Sequence, residues 1–463
     1  MSNKNWQKYY RGAPQTLEKL QQIDTVVCAF NANIDSVIKI RGQELEQLIA
    51  ELKMSAKQAL DEEKRRIDTP EDAVRGILRC FRRGIAEEWI TESEDMYNWL
   101  RARLGLKKLQ IGAQAGIIAN TLAMTGIKNV IVHNAALPKI QAEQYIRKDN
   151  LFSFDESGKL RPVYQIDRQN DRASVHWIAE FDKGESITID GQTIICPKSN
   201  RFIATYDPLL FNLVTDENFV AYTCGHRADY IILSGYQALS SQNDGIFHIK
   251  KTIPIIQNWR RQNPKVQIHL EIASTQDVVI RKNIIKYLGA LVDSVGINER
   301  ETIDLLMVLG QKRLAEKCEK NPSAENLLAA AVKLKEKIGC KRLQLHTFGL
   351  YITICDRNFA VPARKIRSGM ILAAVAAASK AQLGKLEKSE DFLAAQEFKV
   401  SAIGLKMLRE LSEFAGQKSL LSTGISQYKE YKLVIVPTII VEKPRSLVGM
   451  GDTISSLSLV GAL

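Results

Sequence analysis

Short apolar runs alternate with helical stretches along the C-terminal half of the chain, and this alternation constrains the fold more than any other feature. The predicted elements are strands at 231–233, 266–272, 294–297, 343–346 and 351–355, with helices at 244–262, 299–317 and 323–338. Earlier apolar runs at 25–30 and 130–132 add two further strands. Strand–helix alternation favours right-handed crossovers and a mostly parallel sheet with helices on both faces. We therefore predict an α/β fold built on such a sheet.

Two segments depart from this pattern. Residues 41–104 are highly charged with apolar positions at helical spacing, and residues 161–206 alternate apolar and polar residues around the turn signal Asp190-Gly191. The first pattern is typical of amphipathic helices and the second of a local antiparallel sheet. We predict that both belong to a smaller α+β lid domain. The predicted large domain comprises residues 1–36, 112–150 and 215–463, and the lid comprises residues 37–111 and 151–214.

Composition excludes several classes of protein. Apolar residues make up 45% of the 463 residues, and no uninterrupted apolar run approaches the roughly eighteen residues that span a bilayer. The seven cysteines include no CxxC pair, which argues against a disulfide framework or a zinc site. The net charge is +12, but acidic residues are interleaved with the basic ones along the chain. The sequence contains no nucleic-acid-binding motif. We expect a cytoplasmic protein, monomeric or a small homo-oligomer, that binds neither nucleic acid nor membrane.

Gly449-Met450-Gly451-Asp452 precedes a helix-compatible run that continues to residue 463. Glycines before a helix let backbone N–H groups converge on an anion, and the helix N-terminus adds positive potential. A phosphoryl group in transfer suits such a site. Asp452 could accept the proton of an attacking hydroxyl, with its pKa lowered by the helix dipole. The alternative is a turn and a helix cap, because Asp and Thr are favoured there.

Polar residues at the first predicted strand and at a later helix start are candidates for binding a sugar. Asn33 and Asp35 follow the strand at 25–30, and Gly112 and Gln114 open a helix. Ligands of open α/β sheets bind beyond the carboxyl ends of the strands, so the four residues are predicted to line one crevice. Turn stabilisation and close helix packing are the structural alternatives.

A second set of polar residues suits a hydrated metal ion. Glu271 shares a strand face with His269, and Asn298 and Glu301 follow the next strand three residues apart. Carboxylate and amide oxygens, acting through water, suit Mg²⁺. A capping box at the start of a helix explains Asn298 and Glu301 equally well. No P-loop sequence GxxxxGK[ST] occurs, which argues against a P-loop kinase.

Taken in order, these motifs resemble the ADP-dependent glucokinases and phosphofructokinases of the ribokinase-like superfamily. The matching segments span almost the whole chain: 31–35, 112–120, 200–204, 269–271, 296–301, 346–349 and 436–455. The resemblance implies a kinase of modified glycolysis that transfers the β-phosphoryl group of ADP to fructose 6-phosphate, glucose or both, and releases AMP. It implies Mg²⁺ as cofactor and two domains that close over the substrates.

The resemblance also implies roles for individual residues. Asp452 would be the base, and the amides of Gly449, Met450, Gly451 and Asp452 would form the anion hole. Arg201 would reach the transferring phosphoryl group or a sugar phosphate. The residues expected at the sugar are Asn33, Asp35, Glu87, Gly112, Gln114, His176, Lys183 and Arg201. Those expected beside the nucleotide are Asn298, His346, Thr347, Ile440 and Val441. Glu271, Glu301 and Asp452 would organise Mg²⁺.

The acceptor depends on one glutamate. In this family a glutamate near the sugar accompanies glucose phosphorylation, and Glu87 is the expected match, although a solvent-facing acid on a charged helix is the structural alternative. Lys183 and Arg201 could bind a 6-phosphate by charge-assisted hydrogen bonds, so a bifunctional enzyme accommodates both features. Ala113 departs from the family, which usually has a glycine there. An ATP-dependent ribokinase-type enzyme and a non-catalytic sugar or nucleotide sensor remain open.

Overall fold

The computed structural model of the protein describes residues 3–275, 277–446 and 448–463. The strands, numbered in chain order, are β1 (Thr25–Ala29), β2 (Asn33–Lys39), β3 (Glu87–Ile90), β4 (Lys108–Gly112), β5 (Asn129–Val132), β6 (Leu151–Phe154), β7 (Leu160–Pro162), β8 (Val175–Phe181), β9 (Ser186–Ile189), β10 (Gln192–Ile195), β11 (Asn200–Tyr206), β12 (Tyr230–Leu233), β13 (Gln267–Glu271), β14 (Ser294–Asn298), β15 (Arg342–His346), β16 (Leu350–Asp356), β17 (Ile425–Tyr428) and β18 (Tyr431–Pro437).

The helices are α1 (Asn3–Tyr10), α2 (Ala13–Lys19), α3 (Gly42–Glu51), α4 (Ala56–Ala59), α5 (Pro70–Arg83), α6 (Glu94–Leu104), α7 (Gln114–Ala123), α8 (Lys139–Ala142), α9 (Pro208–Phe211), α10 (Glu217–Gly225), α11 (Gly245–Lys251), α12 (Ile253–Gln262), α13 (Val278–Leu288), α14 (Glu299–Val308), α15 (Lys312–Lys320), α16 (Ala324–Ile338), α17 (Ala363–Leu383), α18 (Ala402–Phe414), α19 (Ser419–Thr423) and α20 (Met450–Val460). None of these helices is both long enough and apolar enough to cross a membrane.

An eleven-stranded sheet organises the larger of two hydrophobic cores, in the order β17-β18-β16-β15-β14-β13-β12-β1-β5-β6-β7. The strands from β6 to β15 in this order pair in parallel, whereas β7, β16, β17 and β18 pair antiparallel with their neighbours. Strand β1 is buried along its whole length, as expected for a strand covered on both faces. The predicted α/β fold with a mostly parallel sheet is confirmed.

Helices α17 and α20 pack against each other over this sheet, and α20 contacts the central strands β13 and β15. Their close approach depends on two glycines. A Cβ atom added to Gly369 would lie 2.8 Å from the backbone nitrogen of Ala462, and one added to Gly461 would lie 2.9 Å from Cα of Gly369. A larger residue at either position would push the two helices apart.

A five-stranded sheet with the order β3-β11-β8-β2-β4 organises the second core. One face of this sheet carries Trp89, Trp177 and Phe202, which are buried in that core. Helix α5 covers this face at close range, since a Cβ atom on Gly76 would lie 2.4 Å from the Phe202 ring. The opposite face carries polar side chains. Strands β9 and β10 form the hairpin predicted around Asp190-Gly191.

Several boundaries differ from the prediction. Residues 151–162, predicted in the lid, form β6 and β7 of the large sheet, because Leu151 and Phe154 are buried in the large core. Residues 163–165, within the segment predicted to form a local antiparallel sheet, form a 3₁₀ helix. The helix predicted at 244–262 is broken before Pro254. We propose that each sheet and its core form one domain, and that β2 and β4 belong to the smaller one.

Candidate active site

The carboxyl ends of three neighbouring parallel strands converge at one edge of the large sheet. Glu271 ends β13, Asn298 ends β14 and His346 ends β15, and Asn298 lies directly beside His346 in the strand register. Helix α20 begins at Met450 next to this edge, since a Cβ atom on Gly451 would lie 3.2 Å from Nε2 of His346. Distant segments therefore meet at the position where open α/β sheets bind ligands.

The predicted turn before the last helix is present. Gly449 has φ of 64° in the left-handed region, where glycine is favoured, and the helix starts at Met450. The first intrahelical bond runs from the amide of Thr453 to the carbonyl of Gly449 at 3.2 Å. The amides of Met450, Gly451 and Asp452 precede this bond, so they are available to an anion.

Asp452 has a pKa that differs from the expected direction. Burial raises the pKa of Asp452 to about 6, although the charge of Lys380 and a hydrogen bond from Gln114 oppose the rise. The prediction that the helix dipole lowers the pKa of Asp452 is therefore wrong. Removing the carboxylate from water destabilises its charged form more than the dipole stabilises it. A carboxylate with this pKa is mostly ionised at pH 7 and is a stronger base than an exposed aspartate.

Lys380 is a residue of this site that sequence reasoning missed. Its ammonium donates to the carbonyl of Gly449 at 3.1 Å and lies 3.3 Å from Oγ1 of Thr453. Burial lowers the pKa of Lys380 to about 8, and the charge of Asp452 opposes the fall. The only sequence signal was a single lysine within the alanine-rich run of α17.

Three buried carboxyl groups, those of Glu271, Glu301 and Asp452, influence one another. Burial raises the pKa of Glu301 to about 8, with the charges of Asp452 and Asp304 adding to the rise. Burial also raises the pKa of Glu271, and the charges of Glu301 and Asp452 contribute. A cation would relieve this repulsion.

The donor set therefore fits a divalent cation held through water. Within the described ranges, no cluster of three or more His, Cys, Asp or Glu side chains is close enough to hold a metal ion directly. Mg²⁺ keeps most of its waters in proteins, so a looser arrangement of carboxylates suits it. Glu271, Glu301 and Asp452 would hold the ion, and its charge would neutralise the nucleotide phosphates.

Asn298 and Glu301 also form the capping box that was the structural alternative. The Asn298 side chain accepts from the amide of Glu301, and the Glu301 carboxylate accepts from the amide of Asn298, both at 2.9 Å. One carboxylate oxygen of Glu301 is not used in these two bonds. Structural and functional roles of this pair are therefore compatible.

A cavity of about 650 Å³ adjoins the start of α20. Its lining includes all five residues predicted beside the nucleotide, which are Asn298, His346, Thr347, Ile440 and Val441. Phe348, Tyr351, Met450 and Gly451 also line it. Burial lowers the pKa of His346 to about 4, so its ring is neutral. Nδ1 of His346 has no hydrogen-bond partner among the described residues, which leaves it free for a ligand.

The polar face of the small sheet brings together most of the predicted sugar residues. Asn33 lies beside Gly112 in the register, and Asp35 lies beside His176. A Cβ atom on Gly112 would lie 2.1 Å from Oδ1 of Asp35 and 2.3 Å from Oδ1 of Asn33, so only glycine fits. The side-chain amide of Asn33 contacts Nε2 of His176 at 2.6 Å. Burial raises the pKa of Asp35 to about 6.

Glu87, predicted at the sugar, lies on the opposite face of this sheet. Its carboxylate is held by the guanidinium of Arg79 at 3.0 Å and by the indole N–H of Trp89 at 2.9 Å. Glu88 instead shares the face of Asp35 and accepts a hydrogen bond from the Thr205 hydroxyl at 2.7 Å. The prediction fails because residues 87–90 form a strand, in which neighbouring side chains point to opposite faces.

Arg201 and Lys183, the two predicted phosphate ligands, have different positions. Arg201 lies on the polar face near enough for its charge to lower the pKa of Asp35. Lys183 is exposed in the turn after β8. It lies about 20 Å along the chain from His176, if each residue advances the chain by the rise of a β-strand. The amide of Lys183 donates to Oγ of Ser199 at 2.8 Å, two residues before Arg201, and its role as a phosphate ligand stays a prediction.

The family model that describes the ADP-specific phosphofructokinase/glucokinase conserved region matches residues 24–461 of the chain. The chain belongs to this family. An ADP-specific phosphofructokinase of Thermococcus kodakarensis is 31% identical over 453 residues, which cover 96% of each chain. An ADP-dependent glucose/glucosamine kinase of Pyrococcus abyssi is 30% identical over 465 residues, which cover 98% of each chain.

Solved structures of the ADP-specific phosphofructokinase/glucokinase family share the fold over the whole chain. The last common ancestor of ADP-dependent phosphofructokinases from Methanosarcinales has a TM-score of 0.84 at 30% identity, and the alignment covers 100% of this chain and 99% of the other. An ADP-dependent kinase in complex with fructose-6-phosphate and ADPbetaS has a TM-score of 0.86 at 29% identity, covering 100% and 98%. The predicted family and the assignment of the protein as a kinase are confirmed.

Proposed function

We propose that the enzyme transfers the β-phosphoryl group of ADP to fructose 6-phosphate and to glucose, and releases AMP. One observation supports this proposal: Asp452 and its glycine loop lie between two regions, the cavity at the start of α20 (the proposed nucleotide cavity) and the polar face of the small sheet (the proposed sugar face). Met450 and Gly451 line the cavity, while Asp452 contacts Gln114 at the end of the small sheet. A residue at this junction can touch both a nucleotide phosphate and a sugar hydroxyl.

The residues then divide the work of an in-line transfer. Asp452 accepts the proton of the attacking hydroxyl, and its raised pKa favours that transfer. The amides of Met450, Gly451 and Asp452 stabilise the charge that develops on the phosphoryl group. Mg²⁺, when bound, would neutralise the phosphates of ADP. Closure of the small domain would exclude water, which would otherwise compete with the sugar hydroxyl.

Two groups support activity on both acceptors. The Glu88 carboxylate faces the same crevice as Asp35 and His176, and its charge contributes to raising the pKa of both. It can accept a hydrogen bond from a hydroxyl of glucose. Arg201 makes no salt bridge within the part of the chain that the structure describes, so its guanidinium can bind a phosphate.

The direct test measures AMP released from ADP and Mg²⁺ with glucose, with fructose 6-phosphate and without acceptor, alongside ATP as donor. The proposal predicts AMP release with both sugars and little without acceptor. Release with only one sugar would refute the bifunctional proposal. Turnover with ATP alone would refute ADP as donor, and no turnover with either donor would favour a sensor.

The acceptor assignment is tested with the neighbouring variants Glu88→Ala and Glu87→Ala. Loss of a charge-assisted hydrogen bond costs about 1.5–3 kcal/mol, so Glu88→Ala should lower kcat/KM for glucose by about 10- to 150-fold. Its effect on fructose 6-phosphate should be smaller, because the proposal assigns Glu88 to a glucose hydroxyl and Arg201 to the 6-phosphate. Glu87→Ala serves as the control and should leave the ratio between the sugars unchanged. An equal loss on both sugars in Glu88→Ala would contradict the assignment.

A further inference from the structure

The carbonyl of Gly449, in the glycine loop, accepts three hydrogen bonds. It accepts hydrogen bonds from Nζ of Lys380 at 3.1 Å, from Oγ1 of Thr453 at 2.9 Å and from the amide of Thr453 at 3.2 Å. Lys380 comes from α17, 69 residues earlier in the chain. A helix start supplies the last of these bonds by itself, so the first two are additional.

Holding this carbonyl also fixes the amide that follows it. The C=O of Gly449 and the N–H of Met450 belong to one planar trans peptide and point in opposite directions. A carbonyl that accepts from Lys380 therefore directs the Met450 N–H away from the ammonium, and Met450 is one of the residues that line the nucleotide cavity. The ammonium is thus a further restraint on the orientation of one anion-hole donor, added to the two bonds from Thr453.

Gly449 makes such an anchor necessary. Glycine populates many backbone conformations at little cost, so the peptide between Gly449 and Met450 could rotate in the free loop. Space is also tight, because a Cβ atom on Gly449 would lie 2.9 Å from Nζ of Lys380. Glycine is thus required for the close approach of the ammonium, and the ammonium compensates for the freedom of the glycine.

We propose that Lys380 is a positioning residue for phosphoryl transfer, which holds the Gly449–Met450 peptide so that the Met450 amide faces the transferring group. This inference rests on the proposed function. Lys380 acts through the loop and does not line the nucleotide cavity. Its charge, placed behind the amides, adds to the positive potential at the start of α20. Fixed dipoles of this kind act mainly on the transition state.

The test compares Lys380→Met with the parent enzyme and with Lys385→Met. A second cavity of about 140 Å³ lies beside the loop, and both Lys380 and Lys385 line it. The ammonium of Lys385 is exposed and pairs with Glu387, so Lys385→Met is a matched control. We expect Lys380→Met to lower kcat by about a hundredfold, the effect of losing one anion-hole donor, with KM for ADP and sugar within about threefold. Lys385→Met should retain the parent kcat.

Chemical rescue separates the loss of the ammonium from a general packing defect. The cavity beside Lys380 has room for a small cation once the side chain is shortened. Ammonium chloride should therefore raise the kcat of Lys380→Ala at least several-fold relative to sodium chloride at equal ionic strength, and should leave the parent unchanged. If the Lys380 variants fail to fold, Thr453→Val removes another donor to the same carbonyl and should lower kcat about tenfold.

Each outcome has one meaning. A kcat of Lys380→Met within threefold of the parent, or a loss confined to KM, would overturn the positioning role. Absence of ammonium rescue together with a normal kcat in Thr453→Val would overturn it as well. A parent enzyme that releases no AMP from ADP would refute the proposed function itself, which is a different result from an active parent with an unaffected variant.

Discussion

The buried carboxyl group of Glu301 makes the stability of the metal-free enzyme depend on pH. Its pKa rises from 4.5 in an exposed glutamate to about 8 in the folded protein, mainly because of burial. The folded protein therefore binds this proton more tightly than the unfolded chain does. Stability is fully present below pH 4.5 and is lost as the pH rises through about 8. The total loss is about 5 kcal/mol, at 1.36 kcal/mol for each pH unit.

Glu301→Gln removes this dependence while an amide oxygen replaces the carboxylate as the capping acceptor for Asn298. In EDTA at pH 9 the variant should be more stable than the parent by up to about 5 kcal/mol, and at pH 5 nearly equal to it. A chain of this length unfolds with an entropy of about 1 kcal/mol/K, so the rise in Tm at pH 9 is about 5 °C. Differential scanning calorimetry at both pH values measures it.

The control is Glu325→Gln, which removes one exposed carboxylate from the first turn of another helix. It should shift Tm by less than about 1 °C at either pH. An equal difference between Glu301→Gln and the parent at pH 5 and pH 9 would refute the reasoning. Added Mg²⁺ at pH 9 should stabilise the parent more than Glu301→Gln, because the ion neutralises the charge that the variant lacks.

Three further outcomes follow from the same geometry. Ala113 has φ of 56° and ψ of 161°, a region populated almost only by glycine, so Ala113→Gly should stabilise the protein by about 1–3 kcal/mol in urea unfolding, and a lower midpoint would contradict this. Gly112→Ala places a methyl group against Asp35 and should raise KM for the sugar at least tenfold, whereas Gly225→Ala, with no neighbour within 4 Å in the described chain, should not. The kcat should fall as the pH drops through about 6, where Asp452 gains a proton and stops acting as a base, and a flat profile down to pH 5 would rule out that pKa.

The sequence by itself determined the fold class and the order of the motifs. Local patterns carry this information, because the period of apolar residues reports which strands are buried and glycines mark turns where the backbone must approach a ligand. The turn at Gly449 and the polar residues Glu271 and Asn298 at the ends of neighbouring strands were predictable for that reason. The strand ends of a parallel sheet meet at one edge whatever the details of packing.

Tertiary structure decided which side chains reach the site. Glu87 and Glu88 are neighbouring glutamates, and only their register in β3 places Glu88 on the polar face of the small sheet with Asp35. Lys380 meets Gly449 because two glycines let α17 and α20 approach closely, which no local pattern could indicate. Asp452 has a raised pKa because the assembled protein excludes water around it. Contacts between distant segments and desolvation exist only once the chain has packed, so the sequence pattern alone could not supply them.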